Sequence, residues 1–384
     1  MSNKFQPTLS CRLDGVGEYY FSRKLREIEA LRASGKQIIS LGIGSPDMPP
    51  HPSVMERLAT ESAKPNTHGY QSYKGSAELR EAFAAWYGRR FGVELDSSSE
   101  IMPLIGSKEG IMHIAMTYLN AGDRVLVPNP GYPTYTSAVT LAGGVPTPYS
   151  LSAESGWLPD FESIDTSGVK MMIINYPHMP TGATATLESL KSIVDFCRAN
   201  SILLLNDNPY GFIRNSQPIS LLQVEGAKDI AMELNSLSKS HNMAGWRIGM
   251  LAAAKERIDE VLRFKSNMDS GMFLPLQLAA ATALSLGDEW YEAQNSEYYR
   301  REQTGKAIFD ALGIVYAQNQ AGLFLWGRLP EGENCYDFCD KLLYEKGIFL
   351  TPGGIFGSEG ERYMRLSLCA PQSLLESVLN IVKL

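Results

Sequence analysis

Four short apolar runs, Ile101–Ile105, Arg124–Pro128, Val169–Asn175 and Ile202–Asn206, restrict this 384-residue chain to few folds. Each is almost continuously apolar rather than alternating, as strands buried on both faces are, and such strands build mostly parallel sheets. Helical periodicity fills the intervals, at Lys108–Leu119, Leu187–Asn200 and Glu256–Ser266. The alternation predicts an α/β fold of the doubly wound kind. After Gly287 the pattern changes to a long amphipathic helix from Glu289 to about Leu312, short strands in LFLWGRL and YMRLSL, and a closing helix. We expect a large α/β domain over residues 48–288 and a smaller α+β domain made from residues 1–47 and 289–384. No internal repeat or low-complexity linker interrupts the chain.

Composition removes several classes of function. With 44% hydrophobic and 20% charged residues, the chain is neither disordered, collagen-like nor a coiled coil. A net charge of −7 argues against nucleic acid or an acidic membrane surface as partner, although a local basic site remains compatible. The five cysteines, at 11, 197, 335, 339 and 369, are odd in number and scattered, which points to reduced thiols and a cytoplasmic location. Cys335 and Cys339 share a helix face, but no His or further Cys stands near enough for a zinc site, so buried thiols and no metal are expected. The N-terminus lacks the apolar core of a secretory signal. The longest apolar-rich stretch, from Leu274, is short and interrupted by Gln277, so no membrane span is expected.

In an open α/β sheet, ligands bind beyond the carboxyl ends of the strands. Gly106-Ser107-Lys108 follows the first run and opens a helix, a ready anion site. Tyr132 follows the second, Tyr176-Pro177-His178-Met179-Pro180-Thr181-Gly182 the third, and Asp207 with Tyr210 the fourth. A fifth strand, IAMELNS, runs into Ser238 and Lys239. Together these ends present donors for an anion, an aromatic ring, an acid beside a phenol, and a lysine. Gly42-Ile43-Gly44 precedes Ser-Pro-Asp rather than a helix, so it is no dinucleotide fingerprint.

The segment from Ser236 to Gly249, SLSKSHNMAGWRIG, resembles the pyridoxal-phosphate attachment site of class I/II aminotransferases of fold type I. A hydroxyl stands at −3 from Lys239, a small residue at −1, and Arg247 at +8. The resemblance extends from IISLGIGSPD, starting at Ile38, to Tyr363-Met364-Arg365-Leu366-Ser367. Its wording is nearest the branch that contains LL-diaminopimelate aminotransferases, which does not fix the substrate. It implies an enzyme that moves an amino group from an amino acid to a 2-oxo acid in a ping-pong cycle, as a homodimer with shared active sites. Lys239 would carry the cofactor covalently and move the proton, since a buried amine beside cations is a nucleophile and base near neutrality. Asp207 would pair with the ring nitrogen, Tyr210 would donate to the ring's O3′, and Tyr132 would stack on the ring. Gly106, Ser107, Lys108, Ser236, Ser238 and Arg247 would hold the phosphate, with Tyr70 reaching the phosphate of the neighbouring subunit. Arg365 would grip the substrate carboxylate as a bidentate pair, and Gly44 would let the backbone approach the substrate.

One departure stands out. The family's usual run is Asn-Pro-Thr-Gly, whose Asn donates to O3′, whereas this chain has Met179 before Pro180. Met cannot donate, leaving Tyr210 unless His178 or water substitutes. A carbon–sulfur β-lyase needs the same Lys239 and Asp207 and is the alternative enzyme. A transcription regulator that senses the cofactor would need an added DNA-binding module, which is not expected because the aminotransferase-like pattern starts by about residue 20. A silent cofactor-binding scaffold is the remaining alternative.

Overall fold

The computed structural model describes residues 7–384. Strand β1 (Ile39–Ser40) precedes a run of seven: β2 (Ile101–Leu104), β3 (Arg124–Asn129), β4 (Val145–Ser150), β5 (Val169–Ile174), β6 (Leu203–Asp207), β7 (Ala231–Ser236) and β8 (Gly249–Ala253). These seven form one sheet in the order β2-β8-β7-β6-β5-β3-β4. All neighbours are parallel except β8, which runs antiparallel to both β2 and β7. Every residue of β2, β7 and β8 is buried, which accounts for their unbroken apolar or small-residue character. Glu233 and Asn235 in β7 are exceptions, and the Glu233 carboxylate accepts from Tyr87, Ser220, Asn206 and the Leu221 amide. A buried carboxylate needs such a set of donors to be tolerated.

The expected strands and helices lie within a residue or so of the observed ones, including the long helix, Asp288–Ala311. Two strands escape a reading by apolar runs. β4 contains Pro146 and Pro148, which dilute its pattern, and it is tolerated as an edge strand. β8 is short, with alanine or glycine at three of its five positions, and its reversed direction has no local signal. The apolar stretch from Leu274 is a helix, Leu274–Leu284, buried on most sides against helices Pro52–Ser62 and Ala77–Phe91. Among the described residues no helix is long and apolar enough to cross a membrane. Cys197, Cys335 and Cys339 are buried free thiols.

The remaining strands are β9 (Val315–Tyr316), β10 (Phe324–Arg328), β11 (Ile348–Phe349), β12 (Thr351–Pro352) and β13 (Tyr363–Ser367). An antiparallel sheet has the order β12-β13-β10-β9, while β1 pairs in parallel with β11. The N-terminal segment is thereby tied to the C-terminal half. One apolar cluster joins the two regions, running from Ile174 and Leu204 to Phe324, Leu325 and Met364. That continuity holds the small sheet over the carboxyl ends of β3, β5, β6 and β7.

Candidate active site

A cavity of about 500 Å³ lies between the strand ends and the small sheet. The parallel strands deliver their carboxyl ends to it. The reversed strand β8 delivers its beginning, so Arg247, two residues before Gly249, arrives beside residues that follow β2 and β7. Of the residues expected from the sequence, Gly44, Lys239 and Arg365 line one side, and Tyr132, Asp207 and Tyr210 another. Ser107, Lys108, Ser236, Ser238 and Arg247 line a third. Gly106 stands directly behind Arg247. Tyr70 is not on the wall; it is 94% exposed.

On the third side, Gly106 has φ +80° and caps the helix Ser107–Tyr118. A side chain there would strike the Arg247 guanidinium, so only glycine admits both. A side chain at Gly249 would strike the Ser107 amide, which explains the close approach of β8 to the helix start. Arg247 donates to the Ala244 carbonyl at 2.9 Å and stands 3.5 Å from the Ser238 hydroxyl, itself 2.8 Å from that of Ser236. Free helix amides, two hydroxyls and a guanidinium make a cradle for a phosphate dianion. Lys108 differs from its neighbours here. Its Nζ sits 4.9 Å above the Tyr19 ring, on the side facing the N-terminal helix.

Across the cavity floor, Asp207 is 3% exposed, and one of its oxygens has no protein partner. Burial raises its carboxyl to about 6, against the lowering influence of the Tyr135 hydroxyl and of nearby Ser107. The Tyr135 hydroxyl donates to the other oxygen at 2.9 Å. Asn175 donates to the Asp207 carbonyl and accepts the Met179 amide at 2.8 Å. Neither Tyr135 nor Asn175 was among the expected site residues. Tyr135 lies one helical turn after Tyr132, and Asn175 reads from the sequence as the end of a strand. Lys239 is half-buried, and its Nζ donates to the Gly44 carbonyl at 2.6 Å. Burial lowers its pKa, and the charges of Arg365 and Arg247 act in the same direction. Gly44 has a packing reason of its own, because a side chain there would enter the Phe324 ring.

Arg365 is 4% exposed. It donates to the Gly42 carbonyl at 2.8 Å and touches the Met179 sulfur at 3.3 Å, and no carboxylate among the described residues neutralises it. Burial lowers its pKa to about 10. A buried guanidinium without an acid partner is costly unless a ligand supplies the anion. His178, the proposed substitute for the missing Asn, is not on the cavity wall. Its Nδ1 is paired with Thr181 at 2.8 Å, and burial lowers its pKa to about 3. Both ends of the Asn175 amide are engaged, and the Tyr210 phenol lines the cavity.

Orphaned Asp207 oxygen, cationic cradle and depressed lysine fit a phosphorylated pyridine aldehyde. The chain belongs to the aminotransferase class I and II family, whose pattern matches residues 36–382. It is accordingly a pyridoxal-phosphate-dependent enzyme that transfers amino groups. It is similar to the LL-diaminopimelate aminotransferase of Aquifex aeolicus, at 40% identity over 381 residues covering 98% of each chain. The enzyme of that name from Dehalococcoides mccartyi strain 195 is 40% identical over 375 residues, 96% of each chain. Among solved structures, substrate-bound BacF from Bacillus subtilis superposes with a TM-score of 0.94 at 33% identity, covering 98% of each chain. The fold is therefore the fold-type-I α/β architecture expected from the sequence.

Proposed function

We propose that this chain is a cytoplasmic homodimeric aminotransferase that exchanges an amino group between an L-amino acid and a 2-oxo acid in two half-reactions. The observation that carries the reading is the convergence of Arg365, buried without an acid partner, and Lys239, with its lowered pKa, on one cavity. The cofactor, when bound, withdraws electrons from the substrate's α-carbon and stores the amino group. Arg365 fixes the α-carboxylate in a planar bidentate pair. Lys239 holds the cofactor covalently at rest and, once released, moves the proton from the α-carbon. Asp207 keeps the ring nitrogen protonated, and Tyr135 and Asn175 hold Asp207 in place. The Ser107 helix start, Ser236, Ser238 and Arg247 hold the phosphate, with Lys108 adding positive charge, while Tyr132 covers the ring and Tyr210 donates to its oxygen. Reaction of an amino acid with the holoenzyme should consume the cofactor's absorbance, and a 2-oxo acid should restore it. Release of pyruvate and ammonia from a cysteine conjugate without need of an oxo acid would instead establish the lyase.

The division into a domain of residues 48–288 and one of residues 1–47 with 289–384 is part of this proposal. It is supported by the sheets, since β2–β8 fall inside the first range and β1 and β9–β13 inside the second. The dimer is supported by an exposed aromatic surface. Tyr70 and Tyr73 lie beside the segment carrying Met268 and Phe273, where Gly271 packs on the Gln71 and Ser72 carbonyls. A clustered apolar exposure of this kind marks an interaction surface. If Tyr70 serves the partner's phosphate, a Tyr70→Ala chain and a Lys239→Ala chain are each inactive alone. Co-expressed, random pairing gives hybrids with one intact site, restoring about a quarter of the full activity. No restoration would place Tyr70 in its own subunit's site, and an active Tyr70→Ala chain on its own would place it outside both.

The Met179 replacement leaves a spectroscopic signature. Donors to the ring oxygen favour the deprotonated form of the Lys239 linkage, so a site with one donor fewer retains that proton to higher pH. Met179→Asn is expected to lower the pH midpoint of the cofactor's absorbance by somewhat under one unit, the equivalent of about 1 kcal/mol. An unchanged or raised midpoint overturns this role for residue 179.

A further inference from the structure

Once Lys239, Asp207, the phosphate cradle and Arg365 have been allotted, most of the remaining wall supplied by this chain is apolar, with Lys108, Asn175 and the tyrosine hydroxyls as its polar members. Phe324 and Phe356 are each 4% exposed, and Phe21, Leu25 and Ile43 complete that wall towards the N-terminal helix. Three of the rings crowd the carboxylate anchor: the Arg365 guanidinium carbon stands 3.8 Å from the Phe324 centroid, 4.7 Å from Phe356 and 5.6 Å from Phe21. A substrate whose carboxylate sits on Arg365 therefore carries its side chain among rings and aliphatic groups. Apart from Asp207, the wall holds no acid that could neutralise a distal ammonium. Its one remaining cation, Lys108, already faces the Tyr19 ring at 4.9 Å.

We propose that the substrate subsite selects amino acids with large uncharged side chains, aromatic or long aliphatic, through Phe21, Leu25, Ile43, Phe324 and Phe356. This rests on the aminotransferase reading above. Diaminopimelate, the substrate in the names of the similar enzymes, has a distal ammonium and carboxylate that would lie against this apolar wall. A charge in such a wall without a partner is strongly disfavoured, whereas each buried methylene contributes to binding.

The test is the rate at which single amino acids consume the absorbance of the dimeric holoenzyme. Phenylalanine, leucine and methionine are expected to react at least about 100-fold faster per unit concentration than aspartate, glutamate or LL-diaminopimelate. In the Phe21→Ala variant the ratio of phenylalanine to alanine rates is expected to fall about tenfold, whereas a purely structural defect would slow both alike. Fastest reaction with glutamate, aspartate or diaminopimelate overturns the proposal and points to Lys108 as the binder of a distal carboxylate. Equal rates for small and large uncharged side chains overturn it too. Reaction with no amino acid at all removes the aminotransferase reading itself, so the two failures are distinct.

Discussion

Asp207→Asn is expected to stabilise the cofactor-free protein and to cripple the loaded one. Burial holds the carboxyl near pH 6 in the folded chain, against an ordinary value of 3.8. A folded pKa above the unfolded one means that ionisation opposes folding. The penalty is absent below about pH 4, grows between pH 4 and 6, and is complete above. Asparagine is neutral and still accepts the Tyr135 hydroxyl, so the variant should gain about 3 kcal/mol at pH 8 and nothing near pH 4. Urea unfolding of the cofactor-free proteins at the two pH values measures the difference. In the loaded enzyme the same change removes the negative charge that keeps the ring nitrogen protonated, and turnover should drop about 10²–10³-fold. Opposite signs for stability and activity are the signature of a residue held at a cost for its chemistry. A destabilised empty variant, or full turnover, would show that Asp207 is a structural carboxylate.

Lys239→Ala should lower turnover by about 10⁴-fold or more, since in the proposed function one amine is both covalent anchor and proton carrier. Three observations should accompany the loss. The variant should release its cofactor on dialysis, borohydride should fail to fix the cofactor to the chain, and a small primary amine in solution should restore part of the rate. Lys239→Arg should not recover activity, because a guanidinium remains protonated and cannot accept the α-proton. In the native enzyme, borohydride followed by peptide mapping should label Lys239, and a label on another lysine would overturn its assignment.

Much of this site was legible because its residues follow strands that announce themselves locally. IMPLI, VKMMIIN and ILLLN are apolar enough to read as buried strands, and Gly106, Asp207 and Lys239 lie at or just after strand ends. Residues that work through a neighbour gave less signal. Tyr135 reads as an ordinary helix residue until its hydroxyl is found on Asp207, 72 positions away. Asn175 reads as the tail of a strand until its amide is found bridging Asp207 and Met179. The resemblance implies Arg247 at the phosphate, and what brings it beside Gly106 and Ser238 is the reversal of β8.

By itself, then, the sequence determined the α/β alternation, the order of the strand-end groups and the absence of Asn at position 179. All three are written in short stretches, where burial on both faces and helix-start chemistry act over a few residues. The tertiary structure decided which of those groups meet. It set Arg247 behind Gly106, left one Asp207 oxygen unpaired, placed His178 off the wall, and ringed Arg365 with Met179, Phe324 and Phe356. Met179 and Arg365 are 186 residues apart, and no local propensity specifies such a pair. It exists because the small sheet packs over the strand ends through a shared apolar core.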